Sequence, residues 1–532
     1  QNLFWADFFL ISFWQIYKTK NFVMPKYRLN LSIPKNSLFK NRMYNFKFLL
    51  LFITAMGSFT SSFSQLNEGP PVFHGASVIG YRPHTPVSIY FPISGQRPID
   101  IKVTGLPQDW QLNQDGSVSG MAGDIGSYNF TVSAKNETGQ TAQEYHIEIG
   151  DKLCLTPPLG WNSWNVFTKN ISEKMIMEIA DAMVNSGMRD LGYQYINLDD
   201  FWHAPMRDAQ GAPLPDPAKF PNGIKHLADY VHSKGLKLGI YSCAGKMTCG
   251  EQFGGYGYEE IDAKTYAAWG IDLLKYDYCY APWSKKAALA RYATMGNALK
   301  NSGRSIVFSV CEWGLRKPWK WAESTTGSYW RTTPDIFDVW QFPALAQYSV
   351  MSILKKTEKL EKYASPGAWN DMDMLLVGNY GKGKATSANG MFKGLTDTEY
   401  QSHMSLWAML NSPLLASSDL RNMNEATKKI LMNPTLLSIN QDKLGKQAHR
   451  IEKKKGIRVY LKPLQDGVAI AMLNTKNNTQ EFAFTEMNNF DLNENYTIID
   501  VWNGNKYSSL KNTKFTLAPH ETIVLKLIRT NE

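Results

Sequence analysis

Ile271-Asp-Leu-Leu-Lys-Tyr-Asp-Tyr-Cys-Tyr280 follows a helix-like segment, Ile261 to Gly270, and reads as a buried strand with an ionisable pair near its outgoing end. Side chains two apart on a strand share a face, so Lys275 and Asp277 point the same way. Catalytic groups sit on strand ends at the mouth of a (β/α)8 barrel, and this stretch fits one such end. A cation beside a carboxylate favours the ionised form, the state a nucleophile needs. A structural salt bridge at a strand end has the same sequence pattern.

Outward from this stretch, strands alternate with amphipathic helices from Pro157 onward. Candidate strand ends are Trp161 to Trp164, Ile196 to Asp200, Leu238 to Tyr241, Leu274 to Asp277, Val307 to Glu312, Tyr329 to Arg331, Trp369 to Met374 and Leu414 to Ser417. Helical stretches such as Glu173 to Ser186 and Gly223 to Lys234 intervene. Eight such units make a (β/α)8 barrel the economical reading of residues 151–447.

The flanks read differently. Residues 65–150 alternate apolar and polar side chains, as at Tyr128, Phe130, Val132 and Ala134, then turn at Asn136-Glu-Thr-Gly139 and alternate again at Tyr145, Ile147 and Ile149. The stretch Gly105-Leu-Pro107 to Asp115-Gly-Ser-Val-Ser-Gly120 resembles the immunoglobulin-like modules attached to many exported bacterial sugar enzymes, which implies an N-terminal β-sandwich. Residues 448–532 lack helical periodicity and read as a C-terminal antiparallel β-sandwich with Asn- and Gly-rich turns.

Met43 opens a pattern expected of a secretion signal. Arg42 and Lys47 flank the start, Phe48 to Met56 is apolar, and Ser62-Phe-Ser64 offers small residues for cleavage. The apolar run is too short for an ordinary spanning helix. The expectation is a leader over residues 1–64, a mature chain from about Gln65, no integral membrane segment in it, and a periplasmic or extracellular location. Those 64 residues carry eight basic side chains against Asp7 alone, hence seven of the formal net charge of +10. The basic balance is therefore largely a leader effect and argues for no nucleic-acid partner.

Five cysteines, at 154, 243, 249, 279 and 311, leave at least one thiol unpaired within the chain. None of their spacings combines with nearby His into a zinc site, so no metal and no cofactor are expected.

Several of the strand ends carry polar groups that a barrel brings to one mouth: Asp199-Asp200, Glu312, Arg331 with Asp335 four residues on, and Asp371 with Asp373. A single acidic strand end is often a helix cap or a solvated turn. Five in one barrel suggest a sugar site, with Trp161 or Trp164 available to stack on a ring.

The ordered set Thr156-Pro-Pro-Leu-Gly-Trp-Asn-Ser-Trp164, Asn197-Leu-Asp-Asp200, Leu238-Gly-Ile-Tyr-Ser242, Leu274-Lys-Tyr-Asp277, Cys311-Glu-Trp-Gly314, Trp330-Arg-Thr-Thr-Pro-Asp335 and Trp369-Asn-Asp-Met-Asp-Met-Leu375 resembles glycoside hydrolase family 27, the α-galactosidase family. The resemblance runs from about residue 153 to the C-terminus. It implies a retaining exo-α-galactosidase acting on galactose-containing oligo- or polysaccharides, with Asp277 as nucleophile and Asp335 as general acid/base. Retaining glycosidases hold two such carboxyls about 5–5.5 Å apart. It further implies that Asp199 and Asp200 grip the 4- and 6-hydroxyls with Lys275 nearby. Trp164 and Tyr241 then contact the ring, Arg331 the 2- and 3-hydroxyl region, and Asp373 completes the pocket. Glu312 is expected to fill the space beside the second carbon and so to favour galactose over its N-acetylamino relative. Cys249 and Cys279 match family positions and are expected to pair.

The chain departs from the family pattern at Phe201, where some animal relatives have Cys, at Pro334, and at Leu315-Arg-Lys317. A β-L-arabinopyranosidase, an α-N-acetylgalactosaminidase and a non-catalytic sugar-binding protein are the competing readings. Retention of both Asp277 and Asp335 argues against the last.

Overall fold

Short apolar runs become eight parallel strands: β1 (Leu159–Asn162), β2 (Tyr195–Asn197), β3 (Lys237–Cys243), β4 (Leu273–Asp277), β5 (Val307–Cys311), β6 (Tyr329–Arg331), β7 (Trp369–Asp371) and β8 (Leu414–Ala416). Nearly every residue in them is buried, as strands covered on both faces must be. They pair in chain order from β1 to β7, and β8 returns beside β1. A parallel bridge between Leu375, just past β7, and Ala416 of β8 joins the two ends of the sheet, giving the expected barrel. The computed structural model describes residues 64–342, 348–388, 390–487, 496–511 and 513–530. The expected leader, apart from Ser64, lies outside them.

Helices α1 (Glu173–Asn185), α2 (Gly223–Ser233), α3 (Glu259–Trp269), α4 (Lys285–Lys300), α5 (Val350–Thr357) and α6 (Asp397–Met409) wrap the strands. Helix α1 shows why they form where they do. The Ser172 hydroxyl caps it by accepting from the Met175 N–H, and Ile176, Ile179, Ala180 and Met183 give it one apolar stripe. After β5 the connection departs from the expected alternation, with only 3-10 turns at Pro318–Lys320 and Ala322–Thr325.

The C-terminal unit has a six-stranded sheet, ordered His449–Lys454, Ile457–Leu464, Gly467–Asn474, Thr522–Arg529, Tyr496–Asp500 and Lys506–Tyr507, and a two-stranded sheet of Gln480–Ala483 with Lys514–Leu517. Val459, Met472, Phe482, Phe515 and Leu525 share its core. It packs on α6, which is therefore buried on both sides: Ser402 Oγ donates to the His520 carbonyl, and Trp502 Nε1 donates to Ser405 Oγ at 3.0 Å.

Residues before the barrel form a four-stranded sheet (Val78–Tyr81, Gly139–Ile149, Gly126–Asn136, Asp100–Thr104) and a three-stranded one (Pro86–Ile89, Val118–Met121, Gln111–Leu112). Both bury side chains in one core, among them Ile89, Val118, Val132 and Tyr145. Among the described residues, this unit bonds to loops entering the barrel strands and not to those leaving them. The Arg82 N–H donates to Ser305 Oγ at 2.8 Å, and the Tyr90 hydroxyl donates to Asp190 Oδ1 at 2.7 Å. It therefore sits at the floor of the barrel, opposite the strand ends that carry the polar groups. Among the described residues, no helix is long and apolar enough to cross a membrane.

Candidate active site

Parallel register brings the outgoing strand ends level: Tyr241 pairs with Lys275, Asp277 with Cys311, and Arg331 with Asp371. Three linked groups result. In the first, Lys275 Nζ donates to Asp199 Oδ2 at 2.7 Å, and Asn162 Nδ2 donates to the same oxygen at 3.0 Å. The ammonium also lies 5.3 Å from the centre of the Tyr241 ring. Neighbouring anions, Asp199 foremost, hold Lys275 charged against the cost of burial.

The second group is the candidate nucleophile. The Tyr241 hydroxyl donates to Asp277 Oδ2 at 3.1 Å, and the Tyr278 N–H donates to Oδ1 at 2.8 Å. Burial pushes the Asp277 carboxyl up to about 7; Lys275 pulls it down, while Asp335 pushes it further up.

In the third, Arg331 Nη2 stands 3.0 Å from Asp335 Oδ1 and 2.9 Å from Asp373 Oδ2. The Ile336 N–H donates to Asp373 Oδ2 at 2.8 Å. The Asp335 side chain is 54% exposed, whereas that of Asp373 is buried. Asp277 and Asp373 are thus both buried while Asp335 is open to solvent, so of the three carboxyls Asp335 is the one placed to exchange protons with water.

Asp200 turns its two oxygens to the N–H groups of Phe201 and Gly250, each at 2.8 Å, and burial raises its carboxyl to about 6. Trp164 lies parallel to Phe201 with ring centres 6.2 Å apart. Cys249 and Cys279 are disulfide-bonded, tying the Asp200-supporting loop to the residue two beyond Asp277. Cys154, Cys243 and Cys311 are free thiols. Among the described residues, Cys249, Asp277 and Cys279 are the one cluster with metal-ligand spacing, and both its sulfurs are used in the disulfide.

The sequence model described as "Alpha galactosidase A" matches residues 156–442, and that of the "Alpha galactosidase C-terminal beta sandwich domain" matches residues 454–527. Alpha-galactosidase A of Cellvibrio japonicus is 43% identical over 394 residues, covering 71% of this chain and 93% of its own length. The chain belongs to glycoside hydrolase family 27, the α-galactosidase family. Alpha-galactosidase I of Mortierella vinacea is a solved relative, 35% identical with a TM-score of 0.66, matched over 72% of this chain and 99% of its own. A solved Bacteroides fragilis chain is 45% identical with a TM-score of 0.83, over 88% of this chain and 99% of its own.

Against the family-27 expectations, one residue is misplaced. Glu312 does not reach the pocket. Cys311 is level with inward-facing Asp277, and its Sγ lies 3.8 Å from Arg331 Nη1, whereas Glu312, one residue past the end of β5, turns to Arg316. Its side chain has no exposure, and its oxygens accept from the Arg316 N–H at 2.8 and 3.1 Å and from Arg316 Nη1 at 3.1 Å. Burial raises its carboxyl to about 7, against the pull of Arg316.

The remaining expected residues, Trp164, Asp199, Asp200, Tyr241, Lys275, Asp277, Arg331, Asp335 and Asp373, lie at or just past the outgoing ends of β1, β2, β3, β4, β6 and β7. Sequence reading missed Asn162, which helps hold Asp199, although Asn162 lies inside the quoted Gly160-Trp-Asn-Ser163 run. It also missed the Gly250 N–H that supports Asp200, since a backbone donor from another loop leaves no side-chain signal.

Proposed function

We propose that this family-27 chain is a retaining exo-α-galactosidase. The observation that carries the reading is the pairing of buried Asp277, bonded by Tyr241 and near Lys275, with half-exposed Asp335 held by Arg331. The Asp277 carboxylate attacks the anomeric carbon while the Asp335 carboxyl gives its proton to the departing oxygen. A covalent galactosyl ester on Asp277 forms as the glycosidic bond breaks. Asp335, now ionised, takes a proton from water; that water attacks the same carbon, and Asp277 leaves as a carboxylate. Two inversions retain configuration.

Asp199 and Asp200 serve the 4- and 6-hydroxyls, Trp164 and Tyr241 the ring, and Arg331 with Asp373 the 2- and 3-hydroxyl side. Substrates are galactose-ended oligo- or polysaccharides. Hydrolysis of α-N-acetylgalactosaminides is the second reading, because the carboxylate expected to exclude the acetamide is held away by Arg316. Comparing p-nitrophenyl α-galactoside, α-N-acetylgalactosaminide and β-L-arabinopyranoside tests the choice, and a preference for either of the latter two overturns it.

We further propose that the protein is exported after cleavage near Gln65, and that residues 65–150 are an immunoglobulin-like spacer on the barrel floor. N-terminal sequencing of the secreted protein checks the first. Deletion of the module without change in kcat on a small galactoside checks the second.

A further inference from the structure

We propose that Trp283, braced by Arg316, is a platform for the sugar that leaves with the glycosidic oxygen, a subsite on the rim of the pocket. The inference rests on the α-galactosidase reading above. Trp283 lies in the loop between β4 and α4, six residues past Asp277, and is 75% exposed. An indole left so open is unusual, since burial of its large apolar surface is favourable.

The ring is nonetheless held in place. The Arg316 guanidinium carbon lies 4.7 Å from its centre, and Arg316 Nε donates to the Trp283 carbonyl at 3.0 Å. The same guanidinium lies 4.5 Å from the ring of Tyr278, whose N–H supports Asp277. Glu312, buried and turned from the pocket, fixes Arg316 through both its N–H and Nη1. Buried Glu312 thus anchors Arg316, and Arg316 presents Trp283 at the mouth. Leu315, 47% exposed, adds apolar surface from the neighbouring loop.

Both loops leave the outgoing ends of strands, β4 and β5, on the side of the barrel that holds Asp277. A pyranose offers a C–H face to such a π-surface, and the group expelled from an oligosaccharide is itself a sugar. Arg316 on one face and open solvent on the other leave one face of the indole for that ring.

The test compares raffinose, which expels a disaccharide, with α-galactosyl fluoride, which expels no ring. In Trp283→Ala, the ratio of kcat/KM for raffinose to that for the fluoride should fall about tenfold, the scale of one aromatic contact. Trp283→Tyr should recover most of it. An unchanged ratio in Trp283→Ala, with the fluoride still hydrolysed, overturns the platform and leaves the galactosidase reading standing. A wild type that hydrolyses neither substrate overturns the galactosidase reading and the platform with it.

Discussion

The Tyr241 hydroxyl donates to Asp277 Oδ2 at 3.1 Å, from a ring that is itself buried. A donor to the charged form favours that form, so the bond lowers the Asp277 pKa in a site where burial raises it. Tyr241→Phe should therefore move the acidic limb of the kcat/KM profile to higher pH by about one unit, the equivalent of about 1.4 kcal/mol. A limb that stays in place would show that the hydroxyl does not tune the nucleophile.

Asp277→Asn should lower kcat by about 10⁴-fold or more while galactose still binds, because the amide keeps the shape and loses the attacking charge. It should also stabilise the fold in a pH-dependent way. The folded pKa of Asp277 is raised from 3.8 to about 7, so its favourable contribution is complete below 3.8 and is lost as pH rises through about 7. The melting-temperature advantage of the Asn variant should grow across that window and level off above it. Melting curves recorded from pH 4 to 8 measure this; an advantage independent of pH contradicts the buried-acid reading.

Asp335→Ala should separate substrates by leaving group. A general acid contributes about 10²–10⁴-fold, and a sugar alkoxide needs that proton where an activated phenolate does not. The loss in the glycosylation rate should be much larger for raffinose than for dinitrophenyl α-galactoside, read by pre-steady-state kinetics. Equal losses remove Asp335 from the acid role.

Glu312→Ala should act on stability and not on the choice between galactose and N-acetylgalactosamine. Its carboxylate is fully buried against Arg316, and removing one partner of such a pair costs about 3–5 kcal/mol. Thermal denaturation should show the drop, with the ratio of galactoside to N-acetylgalactosaminide turnover little changed. A large gain on the acetamido substrate would put Glu312 back at the sugar.

The barrel and most of its mouth were legible because period and spacing carry them. Two-residue periodicity puts Lys275 and Asp277 on one face, and the structure places both inward, on Tyr241 and Asp199. The Arg331-Asp335 spacing of four likewise ends in a direct contact. The absent helix after β5 was less legible, because apolar residues such as Trp319, Trp321 and Ala322 are buried there in and between two 3-10 turns.

Residue types and their order alone determined the alternation of strands and helices, the flanking β units, and the set of carboxylates at strand ends. Only the tertiary structure decided which of Cys311 and Glu312 lies against Arg331. The motif contains both, one residue apart, and the choice depends on pairing register with β4 and on Arg316 folding back to neutralise a buried charge. The role of Phe201 was decided in the same way: in sequence it is the absence of a cysteine, and in space it is the ring lying parallel to Trp164. Local periodicity fixes a side chain's face only within a strand; past the strand's end, the partner that satisfies its charge or covers its surface decides where it points.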